Sequence, residues 1–259
     1  MSDQADAQVV NVNGTPISLL RAGSGPPLVV LHAAGGAGTW LPYQQKLAEH
    51  FTVIAPDAPG FGRSPEDERI EGVDDLAFLY LELIEQLGLR DPMLLGASFG
   101  GWVAAEVALL GRELISRLVL VDPIGLRIPE QPIGDLFAMD PPRKMAALFH
   151  DPAAAARIFP NQPDLDTIVS FYRDETAFAR YAWSPFCCNP KLPRRLHRIL
   201  APTLVLWGEN DRLVPRAHGE RYVDLIPDAR LEIIANAGHA VMLETPDAAV
   251  AAIRRFLAG

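Results

Sequence analysis

Two cysteines, no long apolar run and a deficit of positive charge each close off a class of protein. The two thiols among the 259 residues are adjacent, Cys187 and Cys188. Neighbouring cysteines bridge only through a strained ring, and no third thiol is present to pair with. A disulfide framework is therefore excluded, and a reducing, cytoplasmic compartment is expected. The longest low-charge stretch, 93–111, contains Gly96, Gly100, Gly101 and Glu106. It changes character midway and reads as a buried strand followed by a helix, so no membrane partner is expected. The first residues show no basic segment followed by an apolar one, so no secretory signal is expected. Lysine and arginine total 23 against 32 aspartates and glutamates, a formal net charge of −9. An acidic surface repels phosphate backbones, so nucleic acid is not the expected partner. No set of His, Asp and Glu has metal-ligand spacing, and neither a metal nor a cofactor is expected.

What is present is ordinary for a globular chain, 49% hydrophobic and 21% charged. Short apolar runs at 28–31, 53–55, 93–95, 118–121, 203–206 and 231–234 read as strands. Most are continuously apolar, as strands covered on both faces are. Helical patterns lie between them. In 74–87, Leu76, Leu79, Tyr80, Leu83, Ile84 and Leu87 share one face, and Gly88 ends the run. Alternation of this kind implies an α/β fold with a mostly parallel central sheet. Ahead of it, 8–20 reads as a hairpin turning at Asn13-Gly14. The alternation stops between about Pro123 and Leu200, a proline-rich stretch without a clear strand. There Leu165, Ile168, Phe171, Tyr172, Phe178 and Tyr181 recur at helical spacing. The expected organisation is a core of 1–122 and 201–259 with an inserted helical cap, 123–200.

Gly96-Ala97-Ser98-Phe99-Gly100-Gly101 joins the 93–95 strand to a helix. A serine on so sharp a strand–helix turn is exposed as a nucleophile, and small residues two before and two after it avoid clashes. A serine hydroxyl needs a base, held in turn by a third group. His239, in the loop after the last strand, is the base expected from chain order. His50, His150, His197 and His218 read as solvated. Asp211, in the turn after the 203–206 strand, is the expected acid, with Asp122 at the end of the 118–121 strand as its rival. Two backbone donors should hold the oxyanion: the Phe99 amide, and one from the loop His32-Ala33-Ala34-Gly35-Gly36, with Ala34 favoured over Ala33. His32 reads as a structural hydrogen-bonding residue.

Those segments, with 57–64, 207–211 and 238–246, resemble the α/β-hydrolase-fold superfamily, in particular its single-cap bacterial serine hydrolases of esterase or lactonase type. The resemblance spans nearly the whole chain outside the cap. It implies the α/β-hydrolase fold and the triad Ser98–His239–Asp211. One departure is Ala33, where the family usually has glycine after the motif histidine, so an added methyl is expected to reshape the oxyanion loop or narrow the pocket. Haloalkane dehalogenases and epoxide hydrolases carry Asp at the elbow, unlike Ser98. Carbon–carbon hydrolases typically have Asn before the serine and Trp after the histidine, where this chain has Ala97 and Ala240.

The resulting expectation is a serine hydrolase of a small-molecule carboxylic ester or lactone with an apolar part. Carbon–carbon hydrolysis of a dienoate or β-diketone, and a ligand receptor built on the same fold, are the alternatives. Of the cap aromatics Phe137, Phe149, Phe159, Phe171, Phe178, Tyr181 and Trp183, most should pack cap onto core. Trp183, Phe137 and Phe178 are the candidates for substrate contact. Oligomeric state is not legible.

Overall fold

The computed structural model describes residues 5–158 and 164–259. Eight strands form one sheet: β1 Asp6–Val12, β2 Thr15–Ala22, β3 Pro27–Leu31, β4 Thr52–Pro56, β5 Met93–Ala97, β6 Arg117–Val121, β7 Thr203–Gly208 and β8 Ala229–Ile234. Their order is β1-β2-β4-β3-β5-β6-β7-β8. The pairs β1–β2 and β2–β4 are antiparallel and the remaining pairs parallel. Asn13 and Gly14 turn the first hairpin at φ 49° and 90°, the positive angles that a two-residue turn between right-twisted strands requires.

Helices fill the connections: α1 Pro42–Ala48, α2 Val73–Gln86, α3 Phe99–Leu110, α4 Pro141–Leu148, α5 Pro152–Ile158, α6 Leu165–Ala182, α7 Ala217–Leu225, α8 Val241–Glu244 and α9 Pro246–Ala258. Successive side chains of a strand point to opposite faces, and the central strands divide their apolar residues accordingly. Val29, Leu31, Leu94, Leu118, Leu120 and Val205 pack with α2 and α3. Leu28, Val30, Leu95, Val119, Val121 and Leu204 pack with α1 and α9. Both faces are covered, which is why these runs carry no polar alternation.

Among the described residues three α-helices, α4 to α6, and two short 3-10 turns, Leu192–Arg194 and Leu196–Arg198, lie between β6 and β7, with no strand. Asp164 caps α6 by accepting from the Thr167 amide. The apolar recurrence along α6 divides in two. Phe178 and Tyr181 are buried, whereas Leu165, Ile168 and Tyr172 face outward; helical spacing locates the helix but not how far its stripe stays covered. Phe159 lies outside the described residues. The inner part of α6 is clamped to the loop after β4. Arg173 donates to the Gly62 carbonyl at 2.8 Å, Asp174 accepts from the Gly62 amide at 3.1 Å, and the Tyr181 hydroxyl donates to the Pro59 carbonyl at 3.1 Å. Arg180 pairs with Glu66, and Lys144 of α4 with Glu175.

Candidate active site

The turn from β5 into α3 presents Ser98 at φ 52°, ψ −112°. This is a left-handed position that a non-glycine residue adopts only when its surroundings impose it. The surroundings are tight. A Cβ on Gly96 would stand 2.1 Å from the Gly100 carbonyl oxygen, and one on Gly101 would stand 2.8 Å from the Cβ of Pro123. The Ser98 amide donates to the Val121 carbonyl at 2.8 Å, which ties the turn to β6.

His239 follows β8, and the Gly238 amide beside it donates to Glu244 at 2.7 Å. Glu244 also accepts from the amides of His150 and Asp151, so one carboxylate joins the histidine loop to the end of α4. His239 Nδ1 lies 2.8 Å from Asp211 Oδ2, and Nε2 lies 2.8 Å from Ser98 Oγ. A carboxylate only accepts, so Nδ1 carries the proton and Nε2 accepts from the serine hydroxyl. Asp211 is fixed through its other oxygen, which accepts from the amides of Leu213 and Val214 at 2.8 and 2.9 Å. The Asp211 and His239 side chains are 1% and 4% exposed, so the pair is out of water.

Asp122 ends beside this line of bonds. It is fully buried at φ 42°, and Oδ1 accepts from the Gly208 amide at 2.9 Å. Ligand-type atoms of Asp122, Asp211 and His239 lie within 4.8 Å of one another. Both ring nitrogens of His239 are already engaged, one with Asp211 and the other with Ser98.

The loop after β3 meets the elbow from the other side. His32 is buried; its Nδ1 lies 2.6 Å from the Ala33 carbonyl, and its Nε2 accepts from the Ala58 amide at 3.0 Å. The Ala33 carbonyl and the Ala34 N–H belong to one trans peptide and point in opposite directions. His32 thus fixes the direction of the Ala34 N–H. Among the described residues neither the Ala34 nor the Phe99 amide has an acceptor within the chain. Phe99 opens α3, where first-turn donors are unsatisfied by construction. Ala33 does not require a left-handed backbone, so its methyl adds no conformational strain at the place where a glycine is usual. Asp57 accepts from the amides of Gly38 and Arg63, holding this loop against the one after β4.

The three cap aromatics singled out from the sequence form a line of rings running outward from Phe99. Phe178 packs edge-on against Phe99 at 5.5 Å, Phe137 stacks on Phe178 at 5.1 Å, and Trp183 packs against Phe137 at 5.3 Å. Phe178 is buried and Trp183 is 64% exposed. Cys187 and Cys188 are free and buried, and burial pushes the Cys187 thiol up to about 12. The reading of His218 as solvated is corrected. It is fully buried, with Nε2 2.7 Å from the Gln131 carbonyl, and burial pushes its ring below the usual histidine range. A histidine on a helix face gives no sequence sign of what covers it.

Sequence reading assigned no role to Glu244 or Asp57. Both sit in the segments used for the resemblance, yet each acts on backbone amides, a function that a residue type alone does not announce.

A serine on a left-handed strand–helix turn, bonded through a histidine to a buried aspartate on a mostly parallel sheet, belongs with the hydrolases of this architecture. The alpha/beta hydrolase family model matches residues 28–253, and the chain belongs to that family. It is 30% identical to a 2-hydroxy-6-oxo-6-phenylhexa-2,4-dienoate hydrolase of Burkholderia cepacia, over 96% of this chain and 95% of that one. Among solved structures it is similar to a membrane phospholipase A described as a bacterial virulence factor. That pair has a TM-score of 0.80 at 27% identity, covering 99% of this chain and 87% of the other. A serine hydrolase involved in carbazole degradation gives a TM-score of 0.78 at 26% identity, with 98% and 99% covered. Among the described residues no helix is long and apolar enough to cross a membrane.

Proposed function

We propose that the protein hydrolyses a carboxylic ester or lactone carrying an apolar group, through an acyl-enzyme on Ser98. The observation that carries this reading is the unbroken line of hydrogen bonds from Ser98 Oγ through the His239 ring to Asp211, 2.8 Å at each step. In the first half-reaction Ser98 Oγ attacks the carbonyl carbon while His239 Nε2 takes its proton. Asp211 holds the Nδ1 proton and stabilises the imidazolium that forms. The Phe99 and Ala34 amides hold the developing oxyanion. His239 returns the proton to the departing alkoxide, and water then repeats the sequence on the acyl-enzyme. The residues 123–200 act as a cap over a core of 1–122 and 201–259. Phe178, Phe137 and Trp183 offer the apolar part of the substrate a ring-lined wall. A reducing, cytoplasmic setting is supported by the two free thiols.

Carbon–carbon hydrolysis of a dienoate is the second reading, supported by the identity to the Burkholderia cepacia hydrolase. Against it, Ala97 and Ala240 stand where carbon–carbon hydrolases typically carry Asn and Trp. Labelling with a fluorophosphonate, followed by turnover of esters and lactones of graded chain length beside a ring-cleavage dienoate, separates the two. Label on Ser98 with ester or lactone turnover is expected. Turnover of the dienoate without any ester or lactone would replace the first reading by the second.

A further inference from the structure

Asp122 is a buried carboxyl with one oxygen unaccounted for. Oδ1 accepts from the Gly208 amide, while Oδ2 is buried without a hydrogen-bond partner. The groups facing it are the Asp211 carboxylate and the His239 ring, with Ser98 beyond the ring. The Asp211 charge also acts on His218 of α7. An ionised oxygen here would be buried from bulk solvent without a donor from the protein, next to a second carboxylate. Burying an unpaired charge costs far more than burying a neutral carboxyl.

We propose that Asp122 is a neutral carboxylic acid in the folded protein, a positioning residue that leaves one negative charge, and not two, behind His239. The proposal rests on the triad reading of Ser98, His239 and Asp211. Protonation removes the charge from the oxygen that has no donor, in a cluster where the Asp211 carboxylate already carries one. Burial first, and the Asp211 charge second, hold the Asp122 carboxyl well above the usual carboxylate range. The chemistry of His239 gives the reason such a group matters. A second charge beside the imidazole would favour its protonated form and take away the acceptor that Ser98 needs.

The substitution Asp122→Asn tests this, because an amide keeps the acceptor for Gly208, offers a donor on the other side and never ionises. Its acid limb of kcat/KM is expected to coincide with that of wild type. A shift of that limb to lower pH by about 1 unit or more, the size expected for loss of a nearby charge, would overturn the proposal. Stability gives a second reading that needs no turnover. Between the unfolded carboxylate value, about 3.9, and the raised folded one, folded wild type holds a proton that the unfolded chain has released. Wild-type stability therefore falls with rising pH across that window, and Asp122→Asn lacks this slope. Its melting temperature should gain steadily on wild type as pH rises through the window; a constant gap, or a gain by wild type, would overturn the proposal. Should Asp122→Asn fail to fold, the 13Cγ resonances of labelled aspartate in wild type decide. One resonance is expected at the protonated position at neutral pH, and its absence refutes the neutral acid. Both structural readouts are repeated on Ser98→Ala, so a failed triad assignment and an ionised Asp122 give different results.

Discussion

Gly100 of α3 lies directly against the end of β3: a Cβ there would stand 2.3 Å from the Leu31 carbonyl oxygen, with the His32 carbonyl at 2.4 Å. The first turn of α3 thereby reaches the strand that leads into the Ala34 loop. The two proposed oxyanion donors come from segments that share this backbone contact. Neither carbonyl can swing aside as a flexible side chain would.

Gly100→Ala should accordingly lower stability by about 1–3 kcal/mol, the usual cost of forcing a methyl into packed surroundings. It should also lower kcat more than it raises KM, because the displaced group is a donor to the oxyanion and not to the bound ester. Thermal melts with steady-state kinetics on one ester are sufficient. A variant with wild-type melting temperature and wild-type kcat would show that the approach is without consequence.

Ser98→Ala should abolish phosphonate labelling and reduce turnover by about 10³-fold or more. The backbone at position 98 is left-handed with either residue, and only a hydroxyl is lost, so the melting temperature should change little. A folded variant that still took the label would place the nucleophile elsewhere.

Asp211→Asn and Asp211→Ala should part company. Both weaken the hold on His239, and turnover should drop by about 10²-fold or more in each. The alanine variant also leaves the Leu213 and Val214 amides without their acceptor, at a cost of about 1–3 kcal/mol for each amide left unpaired. Asparagine keeps that acceptor. Equal melting temperatures for the two variants would contradict the role given to Oδ1.

Iodoacetamide should leave the native protein unmodified and fully active at neutral pH. Cys187 and Cys188 are buried, and burial pushes both thiols up, away from the reactive thiolate. Mass spectrometry of the intact protein before and after unfolding checks this, with alkylation confined to the unfolded sample.

The sheet was readable because its strands are short apolar runs cut off by turn residues, and Asn13-Gly14 announced its own hairpin. The segments bearing Ser98, Asp211 and His239 were readable because chain order and local punctuation identify them without knowledge of packing. Side-chain surroundings were not. His218 looks like an exposed helix residue until Gln131 is brought to it from a distant loop. Asp211 sits in a polar turn whose sequence does not disclose that two following amides close onto it. The apolar residues of α6 obey helical spacing along its whole length, yet only its second half is covered by the core. In each case the deciding contact is long-range, or depends on which way a backbone amide points, and residue type carries neither.

Ser98 and Asp122 are both non-glycine residues held at positive φ, at the ends of the neighbouring strands β5 and β6. Backbone in this region costs of order 1–3 kcal/mol at each residue with a side chain, and glycine relieves it. Directed evolution for heat tolerance alone, without an activity screen, should therefore enrich glycine at position 98 and return sturdier proteins with no hydroxyl on the turn, whereas at position 122 loss of the acceptor for the Gly208 amide offsets the relief. The same pair of positions tells a protein engineer where resilience has to be sought instead: on the surface helices, away from these two strand ends.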